Sequence, residues 1–334
     1  MREKSLVMGI GVTKFISKSA VRDKISTEYP NPGSDVDAEL QVEHVSYEHS
    51  LLGQAFDYLI RFWLESQHGE VHDPHADRLD RDWTHALGYT RSHFTPDWEP
   101  LSESASEERE IRNAALERAE KKREQFRKTG MNANDAIDAA LVYSGLDLNV
   151  GFEEGTITAN SFEGDVVTEL QELFHLFREQ DALLGDSVIL SPDFGERSFI
   201  LEGHGDFIVD LTLVDVKATE DPSFKPGYWR QLLAYYILND VHRELVAAEV
   251  DSSSADTPYP DITTVGVYFA RFGELQTIDI QDYLQPWEEY ERFRAWFVDR
   301  AIEENHDARR NYDPYREVLT EPYDFEDQTT LFDF

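Results

Sequence analysis

The order of hydrophobic patterns between residues 164 and 271 constrains the fold of this chain most strongly. The patterns predict a helix, three strands, a second helix and a further strand, at residues 164–181, 187–191, 197–209, 211–218, 227–247 and 263–271. Elements in this order are typical of an α/β (α+β) core in which helices flank a mixed central sheet. A final amphipathic helix is predicted at about 284–303.

The first 150 residues are predicted to be mostly helical and to cover or feed that core. Helical periodicity occurs at residues 46–65, 103–128 and 133–146. We therefore divide the chain into a helical region at 1–150, a core at 151–305 and a tail at 306–334. The histidines His68, His72 and His75 are spaced closely enough to suggest a zinc site, but no regular helix is predicted to hold them and Pro74 interrupts them.

The charge of the chain and its lack of cysteine indicate the cellular environment in which the protein works. The 334 residues include 67 acidic and 31 basic side chains, for a net charge of −36, with nine lysines and no cysteine. This composition predicts a halophilic, archaeal protein of the cytoplasm; an ordinary acidic cytoplasmic protein is the alternative. At ~1 M salt the screening length is about 3 Å, so the acidity does not exclude nucleic-acid binding. No run approaches the ~18 apolar residues of a membrane span.

The segment from Gly203 to Thr219 contains the residues with the clearest chemistry. Asp215 and Lys217 are two apart on a strand of buried type, so their side chains share one face. Asp206 lies one strand earlier, where hairpin pairing would bring it beside Asp215. Two such carboxylates suit Mg²⁺ or Mn²⁺, which can polarise a phosphodiester and lower the pKa of a bound water. An exposed ion pair on an edge strand is the alternative, but the flanking apolar residues favour burial.

The helix that follows carries Gln231 and Tyr235 four residues apart, on one face. These side chains are candidates for contacting a phosphate or steadying Lys217. Together, Asp206, the Asp215–Lys217 tripeptide and this helix resemble the PD-(D/E)XK nuclease superfamily, in particular its RecB-like branch. A segment of helix at 52–58 also resembles uncharacterised prokaryotic proteins of this superfamily. The nuclease resemblance covers about a third of the chain.

The resemblance implies a restriction-endonuclease-like αβββαβ core and a function for each motif residue. Asp206 and Asp215 would bind the metal and act with Lys217 as the catalytic group, supported by Gln231 and Tyr235. RecB-like nucleases often add an acid or histidine from the preceding helix. Glu169, Glu172 and His175 are the candidates for that third ligand, and the sequence does not choose between them. Asp210 is expected in the turn between strands.

A basic stretch in the predicted helix at 103–128 is a candidate DNA-contacting surface. Its six basic residues are Arg118, Lys121, Lys122, Arg123, Arg127 and Lys128. A solvated helix face with internal ion pairs is an equally good interpretation.

The tail carries a pattern that resembles the PCNA-interacting peptide of archaeal replication and repair proteins. Gln328, Leu331, Phe332 and Phe334 form this pattern. By the resemblance, the glutamine would occupy a small pocket of the sliding clamp and the apolar side chains a hydrophobic one. Docking of the tail on the protein itself is the alternative.

The sequence thus predicts a divalent-metal-dependent nuclease that hydrolyses DNA in repair, replication or defence, tethered to PCNA. A non-catalytic DNA-binding or scaffold protein that keeps the nuclease fold is one alternative, and an RNA-directed nuclease is another. The chain has no Walker-type phosphate loop, so we expect no ATP site in it.

Overall fold

The fold is a mixed α/β arrangement in which helices cover a five-stranded sheet. This computed structural model describes residues 10–68, 103–148, 164–194, 200–247 and 259–304, with side chains from residue 113 onward in the second range. Six helices precede the sheet in the described ranges: α1 Val12–Ile16, α2 Ser19–Glu28, α3 His49–His68, α4 Glu103–Thr129, α5 Ala133–Leu148 and α6 Gly164–Arg178. The strands and remaining helices are β1 Val188–Leu190, β2 Phe207–Val209, β3 Thr212–Lys217, α7 Pro226–Ala247, β4 Thr264–Phe269, β5 Glu274–Asp279, α8 Ile280–Tyr283 and α9 Trp287–Glu304.

The sheet has the spatial order β1-β2-β3-β4-β5, which places β3 at its centre. Strands β1, β2 and β3 pair antiparallel, β3 and β4 pair parallel, and β5 returns antiparallel to β4. The parallel pair needs a crossover, which α7 supplies. The predicted helix–three strands–helix–strand order and the mixed α/β class are therefore confirmed.

A two-residue hairpin turn fixes the register of β2 against β3. Val209 pairs with Thr212, and Asp210 adopts a left-handed φ of 50° in the turn, a conformation that aspartate tolerates better than most residues. The Asp210 carboxylate accepts a hydrogen bond from the backbone N–H of Ser187 at 2.9 Å, which ties the turn to the chain ahead of β1. Asp210 is thus the turn residue that the sequence predicted.

Two hydrophobic cores lie on opposite faces of the sheet because side chains alternate along each strand. Leu213 belongs to the core that also contains residues of α1, α2, α7 and α9. Val214 belongs to the core formed with α3, α4, α5 and α6. The N-terminal helices therefore contribute to both layers around the sheet.

Helix boundaries agree with the predicted patterns to within a few residues, but four elements had no predicted counterpart. Helices α1, α2 and α8 are short, and β5 is only partly buried, so none of the four gives a strong periodic signal. Backbone hydrogen bonds join the start of α1 to the segment before β2, where Val12 N–H donates to Glu202 at 2.7 Å. Among the helices that the structure describes, none is long and apolar enough to cross a membrane.

Candidate active site

Asp206 and Asp215 face each other across the β2–β3 hairpin. The pairing of Phe207 with Val214, continued by one residue, places Asp206 opposite Asp215. The Asp206 carboxylate accepts a hydrogen bond of 2.6 Å from the backbone N–H of Val216, which holds it against β3. The sequence-predicted pairing of the two aspartates is therefore present in the fold.

Burial makes Asp215 an unusual carboxyl group. Its side chain is 4% exposed, and burial raises its pKa to about 7. Lys217 acts in the opposite direction by favouring the charged form, whereas the negative charge of Asp206 raises the pKa further. A cation placed between the two aspartates would relieve both the burial cost and the repulsion.

Lys217 is held beside Asp215 as a charged ammonium group. Its Nζ lies 2.5 Å from a carboxylate oxygen of Asp215. Burial alone would lower the pKa of Lys217, but the charges of Asp215 and Asp206 outweigh it and the pKa is raised. Lys217 is therefore suited to stabilise negative charge and poorly suited to accept a proton at neutral pH.

Helix α7 forms the wall that covers this face of β3. The Gln231 side-chain amide donates a hydrogen bond of 3.0 Å to the Tyr235 hydroxyl, so the two predicted motif residues contact each other. Burial raises the Tyr235 pKa, the hydrogen bond from Gln231 lowers it, and Asp215 and Asp206 raise it further, for a net increase.

Tyr228, one turn before Gln231 on α7, was not among the predicted site residues. The Nζ of Lys217 lies 5.2 Å from the centre of its ring, within the range of a cation–π contact. Its spacing of three and seven residues from Gln231 and Tyr235 was a signal that the sequence offered, because that spacing places all three on one helical face.

Asp57 on α3 is a further acidic residue that the sequence analysis did not select, and the charge of Asp206 affects its pKa. Burial raises its pKa to about 6; Arg61 lowers it, and the charge of Asp206 raises it again. The charge of Asp206 thus acts on Asp57, although 149 positions separate the two residues. The signal in the sequence was an aspartate and an arginine four apart on an otherwise apolar helix, together with the family-like segment at 52–58.

The three predicted candidates for a third metal ligand differ in their surroundings on α6. Glu172 and His175 are exposed because they fall outside the apolar stripe of the helix. Glu169 is fully buried, but its carboxylate is occupied by an ion pair with Arg271 and a 2.7 Å contact with the His44 ring. Burial alone would raise the Glu169 pKa, but these partners lower it.

The carboxylates are of the right chemistry for a divalent metal, although their present orientation is not a closed metal site. In the part of the chain that the structure describes, no three acidic or histidine side chains converge as ligands. Asp215 is turned toward Lys217, and Asp57 bonds to Arg61. Asp206 and Asp215 fit Mg²⁺ or Mn²⁺ as hard oxygen donors, since a cation would offset their mutual repulsion.

The basic residues of α4 are largely engaged with carboxylates. Lys122 lies 2.5 Å from Asp138, and Arg123 lies 2.6 Å from Glu65. Both Arg127 and Lys128 pair with Glu124. Arg118 and Lys121 are exposed. These pairs agree with the alternative of internal ion pairs, and DNA contact by this helix stays a prediction.

Other predicted features lie outside the described residues. The clamp-binding pattern at 328–334 and two of the three clustered histidines, His72 and His75, fall in this category.

The chain matches no protein-family model, no curated protein and no solved structure. The geometry of the site and the motif resemblance are therefore the two grounds for assigning a function.

Proposed function

We propose that the protein is a divalent-metal-dependent nuclease that hydrolyses phosphodiester bonds of DNA. The observation that supports this most directly is the pair of facing aspartates, one of them buried, with a charged lysine 2.5 Å from the buried one. Placing three ionisable groups together in a largely apolar layer is costly unless a ligand compensates it.

Each residue has a distinct part in the proposed reaction. Asp206 and Asp215 would hold the metal. A bound Mg²⁺ or Mn²⁺ would polarise the phosphodiester and lower the pKa of a bound water. Lys217 stabilises the negative charge that develops on the phosphate, because it remains an ammonium group.

The supporting residues restrict how Lys217 can move. The ring of Tyr228 lies below its Nζ at 5.2 Å, which holds the ammonium group by a cation–π contact. Gln231 fixes the orientation of the Tyr235 hydroxyl through their 3.0 Å hydrogen bond. This arrangement predicts that Gln231 and Tyr235 position charged groups and do not transfer protons.

The direct test is cleavage of labelled single-stranded, duplex and flap DNA with Mn²⁺ in high salt. We expect the wild-type chain to cleave at least one substrate and Lys217→Ala to lose at least ~100-fold of that activity, the scale on which removing a charge-stabilising group acts. Absence of cleavage by the wild type on all substrates would refute the enzyme proposal.

Lys225→Ala is the matched control for Lys217→Ala. The Nζ of Lys225 lies 5.9 Å from the ring of the same Tyr228, but Lys225 is exposed and pairs with Asp221 at 3.0 Å. We expect its removal to leave cleavage within about twofold of wild type, since exposed ion pairs contribute little. If both variants lost cleavage activity equally, the experiment would contradict a catalytic function that is specific to Lys217.

Two other functions make different predictions in the same experiment. A non-catalytic DNA-binding or scaffold protein would bind the labelled DNA without cutting it. An RNA-directed nuclease would cleave a parallel set of RNA substrates and spare DNA. We favour DNA because of the resemblance to RecB-like nucleases.

The proposed route to the substrate includes the basic residues of α4 and attachment to the PCNA sliding clamp through Gln328, Leu331, Phe332 and Phe334. Deleting residues 328–334 should abolish co-elution with the clamp, because these side chains form the whole predicted anchor. An unchanged elution profile would refute the clamp proposal and leave the nuclease proposal intact.

A further inference from the structure

His44 and His49 present ring nitrogens to each other at the start of α3. Nε2 of His44 contacts Nδ1 of His49, and the two ring centres are 4.2 Å apart. His44 belongs to the segment ahead of α3, and His49 is the first residue of that helix. The His49 side chain is exposed, so the junction between the rings is open to solvent. Facing imidazole nitrogens are ligands that suit transition-metal ions.

The other ring nitrogen of His44 determines which tautomer the ring adopts. Nδ1 of His44 lies 2.7 Å from Oε1 of Glu169. A carboxylate only accepts hydrogen bonds, so Nδ1 carries the proton and donates to Glu169. Nε2 of the neutral ring then keeps its lone pair, which is directed at His49. A carboxylate that holds the far nitrogen of the ring in this way is typical of histidines that bind metal ions.

Glu169 is itself held firmly, so the orientation of His44 is fixed in advance. The Glu169 carboxylate is fully buried and accepts hydrogen bonds from the backbone N–H of Ser46 at 2.9 Å and of Val45 at 3.2 Å. A guanidinium nitrogen of Arg271 also bonds to Oε1 of Glu169 and lies 2.9 Å from Nδ1 of His44. A guanidinium only donates, so Arg271 and the His44 ring share the Glu169 oxygen as two donors.

Negative charge adjoins the two histidines. Glu43 and Glu48 are their neighbours in the sequence. A carboxylate oxygen of Glu220 accepts a 2.7 Å hydrogen bond from the backbone N–H of His44. The charge of these carboxylates favours a cation at the pair of rings.

We propose that His44 and His49 bind a transition-metal ion such as Zn²⁺, through Nε2 of the first ring and Nδ1 of the second. The ion enters between the rings when the exposed His49 side chain turns outward. In the ranges that the structure describes, no third acidic or histidine side chain converges with the pair, so water completes the coordination. The ion ties the segment ahead of α3 to the helix and, through Glu169, to α6.

This site goes beyond the proposed nuclease function and does not depend on it. Asp206 and Asp215 offer hard oxygen donors, which favour Mg²⁺ or Mn²⁺, whereas imidazole nitrogens favour Zn²⁺. The two sites therefore take different metals and can be loaded separately.

The simpler interpretation is a hydrogen bond between the two rings that anchors the start of α3 without a metal. It predicts that Zn²⁺ leaves the melting temperature unchanged. A bound ion instead stabilises the folded state, because the unfolded chain does not hold the two nitrogens together. The dependence of the melting temperature on Zn²⁺ separates the two interpretations.

The experiment titrates the full chain with Zn²⁺ by isothermal titration calorimetry, in excess Mg²⁺ to occupy the carboxylate site. We expect His49→Gln to lose at least ~10-fold in Zn²⁺ affinity, since loss of a supporting contact alone costs about that much. His44→Asn removes Nε2 but keeps a side-chain N–H for Glu169, and it should lose affinity to the same extent. Zn²⁺ should raise the melting temperature of the wild type and have little effect on either variant.

His175→Gln is the matched control. The His175 ring is exposed on α6 and lies 3.5 Å from Glu179. The substitution removes one imidazole without altering the His44–His49 pair. Its Zn²⁺ affinity and its melting temperature in Zn²⁺ should therefore equal those of the wild type.

The proposal is overturned if the wild type binds no Zn²⁺, or if His49→Gln and His44→Asn bind it as tightly as the wild type does. In the second case the binding belongs to other histidines, such as the group of His68, His72 and His75. Should one variant fail to fold, the other decides, because each removes a different ligand. A wild type that binds Zn²⁺ at this pair but cleaves no DNA refutes the nuclease proposal alone.

Discussion

The two aspartates of the candidate site disfavour each other's charged form in the folded protein. Asp215 is buried, and its pKa is raised to about 7 because burial and Asp206 disfavour its charged form more than Lys217 favours it. A group with this shift reduces the stability of the fold when it ionises. Such a conflict is typical of residues kept for function, since folding alone would select against them.

Asp215→Asn should therefore abolish cleavage and at the same time raise thermal stability in EDTA. The unfolded chain ionises Asp215 above its ordinary pKa of 3.8, whereas the folded chain holds the proton up to about pH 7. The stability of the wild type thus falls as pH rises through this window. We expect the two melting temperatures to coincide near pH 4 and the variant to melt a few degrees higher, about 3 °C, above pH 7.

Thermal melts of both proteins between pH 4 and pH 8 provide the measurement. Asp186→Asn, a change at an exposed position ahead of β1, is the control and should leave the pH profile unchanged. A wild type that melts at or above the temperature of Asp215→Asn at every pH would contradict the prediction.

The sequence was informative about residues within one hairpin and uninformative about residues that only tertiary packing brings together. Asp215 and Lys217 share a face because strand side chains alternate, which local pattern reveals. The charge of Asp206 acts on Asp57 only through the tertiary arrangement of α3 and the sheet, which a single sequence does not reveal. Glu172 was a poor candidate on local grounds too, because it falls outside the apolar stripe of α6.

At the scale of elements, a buried ion pair joins α6 to the turn after β4 and to the segment that precedes α3. Arg271 and Glu169 are 1% and 0% exposed. Arg271 also donates to the backbone carbonyl of Ala218 at 3.0 Å, and Glu169 accepts from the backbone N–H of Ser46 at 2.9 Å. Residues just after Lys217 and the approach to α3 are thus held by one pair of side chains.

Arg271→Met should lower the free energy of unfolding by about 3–5 kcal/mol, because it leaves the Glu169 carboxylate buried without its cation. Guanidinium titration monitored by tryptophan fluorescence measures this quantity. Arg243→Met removes an arginine whose ion pair with Asp261 is largely exposed, so it should cost less than about 1 kcal/mol. If the two variants lost similar amounts of unfolding free energy, burial would not make the Arg271–Glu169 pair more important for stability than an exposed pair.

Element order was predictable because it depends on hydrophobic periodicity over many residues. The long patterns of α3, α4 and α7 gave boundaries close to the observed ones. The predicted strand at 197–209 was longer than β2, which occupies only Phe207–Val209. Glycines at 203 and 205 and the close approach of α1 account for the irregular backbone there: a Cβ at Gly203 would lie 2.7 Å from a Val12 methyl carbon.

At the scale of the whole molecule, acidic charge dominates. The chain carries 67 acidic against 31 basic side chains. Ion pairs engage cations on α2, α3, α4, α7 and α9 of the described fold. The remaining carboxylates repel one another, and that repulsion opposes the compact state.

Raising the KCl concentration from about 0.1 M to about 2 M should therefore raise the melting temperature substantially, because the screening length falls from about 10 Å to a few ångströms. Differential scanning calorimetry across a salt series measures the effect. An uncharged osmolyte at the same osmolarity serves as the control and should reproduce only a minor part of it. A melting temperature independent of salt would contradict a fold limited by its own charge.

The Arg271–Glu169 pair also restricts which substitutions this chain can tolerate during evolution. Replacing either partner alone leaves a charge in the interior, whereas a matched apolar pair of similar volume can be tolerated. We therefore expect related sequences to contain both residues or neither, and few of them to contain only one. The two positions, 102 apart in the sequence, are expected to covary.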